Sequence, residues 1–188
     1  MVVATKRSKP RHFSWNSRST HRLRKGPLEL MGFTDSDFAG ELESRCSCTG
    51  FLFMLGGGVI SSAAVLQKTI AQSTTEAARM ALHAASQEGT YMLNLLRELG
   101  VGIGTFKFFS DAMSALSLSS QAMFSSRTKH IATKYHLLRE SVESGTLLVN
   151  HIPTGLQLSD VLTKNLPKPT FLRLREMVQT YNSANIQI

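Results

Sequence analysis

Three apolar runs rich in β-formers, at residues 28–38, 49–55 and 59–71, follow one another so closely that an antiparallel meander is the simplest way to pair them. The middle run reads TGFLFML and is closed by Gly56-Gly57-Gly58. Directly after the third run, Ser73-Thr74-Thr75-Glu76 supplies an N-cap signature for a helix predicted over 75–99. Ala77, Met80, Ala81, Ala84, Met92, Leu95 and Leu96 recur there at helical spacing, and Gly100-Val101-Gly102 ends the stretch. A fourth strand is predicted over 105–110, a short helix through Leu118, an amphipathic helix over 129–143 and a fifth strand over 146–152. A last helical region starts at Leu156, breaks near Pro167 and Pro169, and resumes through Val178. This order describes an α/β fold with a five-stranded mixed sheet, three antiparallel strands and then parallel additions through helical crossovers, flanked by helices.

With 188 residues, the chain has room for one ordinary domain with a full core. Three segments are expected: a basic, disordered arm at 1–28, an α/β domain at 29–167, and a C-terminal helix and tail at 168–188. The net charge of +8 belongs to the arm. Residues 1–30 hold eight basic side chains against Glu29 alone, which leaves 13 basic and 12 acidic residues in 31–188. A basic arm of this kind suits either a phosphate clamp or an organelle-targeting peptide. Cys46 and Cys48 are too close for an unstrained disulfide and lack the histidines of a zinc site. Free thiols suit a reducing, intracellular compartment, cytoplasmic or nuclear. The longest apolar run, 50–64, is broken by glycines and serines, so no membrane span and no membrane partner is expected.

The chemistry is carried by acidic residues placed in separate predicted elements. Residues 33–40 read FTDSDFAG, with Asp35 on the first strand. Residues 108–116 read FFSDAMSAL, with Asp111 at the end of the fourth, and 157–164 read QLSDVLTK, with Asp160 on the last helix. Between them stand SRTKHI at 126–131 and KYHLLRE at 134–140.

Taken with the triple glycine followed by VIS and the QKT at 67–69, this set resembles the ribonuclease H domain of copia-type LTR retrotransposon polyproteins, over residues 28–167. The resemblance implies the ribonuclease H-like fold, in agreement with the element order. It also implies metal-dependent hydrolysis of RNA in RNA–DNA hybrids. Such a site uses two Mg²⁺ ions (or Mn²⁺) about 4 Å apart to activate water and stabilise the leaving oxygen, and hard divalent ions want several convergent carboxylates. Asp35, Asp111 and Asp160 are the ligands and catalytic residues that the resemblance assigns. Arg127, Lys129, His130 and Lys134 are the candidate contacts to the RNA–DNA hybrid or another nucleic acid.

The family's remaining ligand, a Glu directly before a tyrosine-methionine-alanine-leucine stretch, is missing. Here that stretch is Arg79-Met80-Ala81-Leu82 and the preceding residue is Ala78. Glu76 lies about 200° around the helix from that position, so it cannot simply take over. Asp37 shares a strand face with Asp35 and could lean toward a metal, but the family already carries an acid there, so it is a weak substitute. Further departures are Ala132 for an Asp, Gly155 for an acid, Ser62 for a tryptophan, and Val65 and Leu66 for two lysines. Loss of a ligand from a set that acts as a unit costs orders of magnitude in rate, so hydrolysis is expected to be weakened or lost. The alternative is a non-catalytic, domesticated domain that binds nucleic acid or protein.

Overall fold

The computed structural model describes residues 3–4, 28–103, 105–112 and 140–180. Among these, five long strands form one mixed sheet: β1 (Leu30–Asp37), β2 (Cys48–Leu55), β3 (Gly58–Leu66), β4 (Phe106–Ser110) and β5 (Leu147–His151). Their order is β3-β2-β1-β4-β5, with β1–β2 and β2–β3 antiparallel and β1–β4 and β4–β5 parallel. Val3–Ala4 adds two residues parallel to β3, opposite Ala63 and Ala64. The meander followed by parallel additions is the arrangement expected from the sequence.

Gly56 and Gly57, at φ 58° and 84°, make the two-residue turn between β2 and β3, where positive φ at both central positions matches the twist of the paired strands. The third strand is shorter than the 59–71 expected. Its partner β2 begins at Cys48, and the paired register ends there, opposite Leu66. Gln67 then turns inward. Its amide donates to the Ser47 carbonyl at 2.8 Å, and its Nε2 donates to Thr49 Oγ1 (3.1 Å) and to the Ala77 carbonyl (2.9 Å), tying the end of β3 to the next helix.

That helix, α1 (Thr74–Glu98), starts on the Ser73 cap: the Glu76 amide donates to Ser73 Oγ at 3.1 Å, and Glu76 Oε2 accepts from the Gln72 amide at 2.7 Å. Two short elements follow β5, a 3₁₀ turn at Thr154–Leu156 and α2 (Asp160–Thr163). The final helix, α3 (Lys168–Thr180), begins directly after Pro167 and keeps Pro169 in its first turn, where a missing N–H leaves no intrahelical bond unmade. The expected interruption therefore falls at residues 164–167. Most of the expected 129–143 helix lies outside the described residues, as does the short helix towards Leu118; residues 140–143 are helical.

Alternation along the strands loads both faces of the sheet. Leu30, Phe51, Phe53, Phe106, Phe108 and Leu147 pack with Leu82, Ala85, Leu93 and Leu96 of α1. Phe53, Phe106 and Phe108 form an edge-to-face chain with centroids 5.4 Å apart at each step. On the other face Met31, Phe33, Leu52, Met54 and Phe109 pack with Leu158 and with Leu174 and Val178 of α3. The last helix thus contributes to the same sheet's core. No helix among the described residues is long and apolar enough to cross a membrane.

Candidate metal centre

The parallel pairing of β1 and β4 sets the site. Phe33 and Phe109 stand in register on these neighbouring strands, with their rings stacked at 5.2 Å. Two residues further along each strand direction come Asp35 and Asp111, so a period of two carries both acids past the same end of the sheet. The chain turns there after β4, with the Ala112 amide donating to Ser110 Oγ at 3.3 Å.

The third acid comes from the connection after β5. Gln157 is fully buried and its Nε2 donates to the Thr34 carbonyl at 3.1 Å, next to Asp35. Its Oε1 accepts from Ser159 Oγ at 2.9 Å, and the Asp160 amide bonds the Gln157 carbonyl at 3.3 Å. This clamp starts α2 against β1 and delivers Asp160 to the cluster. Carboxylate oxygens of Asp35, Asp111 and Asp160 lie within 4.8 Å of one another, the one such acidic group among the described residues that is close enough to hold a metal ion. Asp35 and Asp160 are 8% and 5% exposed, so water screens their mutual repulsion poorly.

Two neighbours moderate that charge. Thr163 Oγ1 donates to Asp35 Oδ2. Lys164 Nζ lies 2.9 Å from Asp160 Oδ1 and 3.3 Å from Asp35 Oδ1. One ammonium does not balance three carboxylates. Burial pushes the Asp160 carboxyl up to about 6; the Lys164 hydrogen bond holds it back only in part, and Asp35 adds to the rise. Burial works against the charged form of Lys164, but the hydrogen bond to Asp160 and the pull of Asp35, Asp160 and Asp111 outweigh it and raise the ammonium above its ordinary value. Three hard oxygen donors held by separate rigid elements, with an ammonium already seated among them as a stand-in cation, fit a hard divalent ion.

Neither nearby acid fills the place of the missing ligand. Glu76 caps α1, and the Asp37 carboxylate folds over Gly40, where a Cβ would meet its Oδ2 at 1.7 Å; neither belongs to the acidic group. Ala78 on α1 is half-buried and packs on the same apolar cluster as Ala112. Arg127, Lys129, His130 and Lys134 lie outside the described residues. Sequence reasoning did not single out Lys164, Thr163 or Gln157. The available signal was the i,i+4 spacing of Asp160 and Lys164 across one helical turn.

A mixed sheet of this order with acids gathered at the shared end of β1 and β4 defines a ribonuclease H-like domain. Over 72% of its length the chain superposes, with a TM-score of 0.51 and 11% identity, on 94% of LC11-RNase H1, solved in complex with an RNA/DNA hybrid. Homologues of the chain are copia-type retrotransposon Pol polyproteins. It is 39% identical over 154 residues, 82% of its length, to the Pol polyprotein from transposon TNT 1-94 of Nicotiana tabacum. It is 37% identical over 151 residues, 79% of its length, to that from transposon RE2 of Arabidopsis thaliana. The chain spans 12% and 10% of the length of these two relatives. No protein-family model matches it.

Proposed function

We propose that this is a retrotransposon-derived ribonuclease H domain that binds RNA–DNA hybrid, with Mg²⁺ or Mn²⁺ held by Asp35, Asp111 and Asp160, and that its hydrolytic activity is weakened or lost. The observation that carries the reading is the convergence of three carboxylates from β1, the end of β4 and α2 within 4.8 Å. Divalent ions bound there would supply the Lewis acidity that activates water and stabilises the leaving oxygen. The protein's own part is positional. Gln157 anchors the start of α2 to β1, Thr163 orients the Asp35 carboxylate, and the buried setting of Asp35 and Asp160 excludes competing water.

Ala78 supports the loss of activity, because a methyl group supplies no ligand where the family resemblance expects a carboxylate. It also favours a second reading, a domesticated domain that keeps nucleic-acid or protein binding without cleavage. Arg127, Lys129, His130 and Lys134 are then the proposed phosphate contacts. Cleavage of a labelled RNA–DNA hybrid with Mg²⁺ or Mn²⁺ separates these readings, using the wild type, Ala78→Glu and Asp35→Asn. Cleavage gained by Ala78→Glu over a weak or silent wild type, and abolished in the double variant with Asp35→Asn, is the expected result. Hybrid binding that falls steeply with salt, with no cleavage by any variant, supports the binding domain instead.

A further inference from the structure

Lys164 places a positive charge inside the acidic cluster. Its Nζ touches one oxygen of Asp160 and one of Asp35 at 2.9 and 3.3 Å, so a single ammonium spans two of the three carboxylates. The side chain is a third exposed, which leaves a path by which the head can swing to solvent on its flexible stem without displacing α2. A divalent ion on the triad would compete for the same two oxygens, and an ammonium retained beside it would repel it at close range. Resting on the metal-centre reading above, we propose that Lys164 is a built-in competitor for the divalent cation. It holds Asp35 and Asp160 together in the cation-free protein and withdraws when a divalent ion enters, which lowers the affinity of the site.

The role differs from that of a surface ion pair. Removing an exposed partner changes little, whereas removing Lys164 takes away the one cation that, among the described residues, is paired with these carboxylates and leaves them open to a divalent ion. Two consequences follow together: metal-free stability falls and cation affinity rises. A lysine that merely braced α2 would give the first without the second.

The test is Mn²⁺ binding to the full chain at neutral pH, followed by calorimetry and by the electron paramagnetic resonance of free Mn²⁺. Lys164→Met is expected to bind Mn²⁺ at least tenfold more tightly than wild type, and Lys164→Arg to stay within about threefold of it. Metal-free Lys164→Met is expected to melt below wild type, and saturating Mn²⁺ to raise its melting temperature by more than it raises the wild type's. If Lys164→Met does not fold without metal, Lys164→Gln reports the same comparison. Equal or weaker Mn²⁺ binding by Lys164→Met, or by Lys164→Gln in its place, overturns the proposal. If Asp160→Asn abolishes wild-type binding in that case, the metal centre stands and the competitor role alone fails. Absence of Mn²⁺ binding by every variant removes both.

Discussion

Gly50 stands directly across the β1–β2 ladder from Asp35, and a Cβ built on it would lie 2.4 Å from Thr163 Cγ2 and 3.2 Å from Leu162 Cβ. The missing side chain lets α2 rest on the sheet, close enough for Thr163 to reach Asp35 and for Asp160 to join it. Gly50→Ala is therefore expected to push α2 outward. Overpacking of this kind costs about 1–3 kcal/mol, and urea denaturation measures it. Mn²⁺ affinity should fall with it, since the third carboxylate moves with the helix.

Gln157 ties the same helix to the strand from the other side. Gln157→Leu keeps most of the volume but leaves the Thr34 carbonyl and the Ser159 hydroxyl without their partner. Buried groups orphaned in this way cost about 1–3 kcal/mol. Chemical denaturation of wild type and variant at matched pH gives the difference. An unchanged midpoint would mean that the clamp contributes nothing to holding α2.

Asp160 makes the stability of the metal-free protein depend on pH. Its carboxyl is raised from 3.8 to about 6, chiefly by burial, so between those values the native state keeps a proton that the unfolded chain has released. Stability from this group is present at low pH and declines as pH rises through that window. Asp160→Asn removes the titration. The stability of wild type relative to Asp160→Asn should fall by on the order of 2 kcal/mol between pH 4 and pH 7. Denaturant midpoints across that range check the sign as well as the size.

The opposite face of the sheet offers a control. Phe108 is fully buried between Phe53 and Phe106, both at 5.4 Å. Phe108→Ala should cost about 3–5 kcal/mol, measured by thermal or chemical unfolding. A loss well below this range would mean that the neighbouring rings collapse into the space.

The strands were legible because each couples β-forming side chains to an audible change of composition at its ends, as at Gly56-Gly57 and at the Ser73 cap. Strand bounds were less so: nothing in residues 67–71 tells that the register with β2 ends at Cys48, and only the ladder fixes the end of β3 at Leu66. The three aspartates were found through their motifs, and their meeting depends on the register of Phe33 with Phe109, which no local pattern encodes. Lys164 went unnoticed for a similar reason. Its spacing from Asp160 is visible along the chain, but its contact with Asp35 crosses 129 positions and arises only when α2 lies on β1. The spacing of Leu174 and Val178 marks an apolar helix face, yet the sequence does not say which surface that face covers.

Anomalous scattering from a crystal of the chain soaked in Mn²⁺ tests the centre most directly. The account predicts a peak bonded by carboxylate oxygens of Asp35, Asp111 and Asp160, with the Lys164 head turned away from it. A crystal whose Mn²⁺ peaks all lie elsewhere, or in which these three carboxylates stand apart, would contradict it.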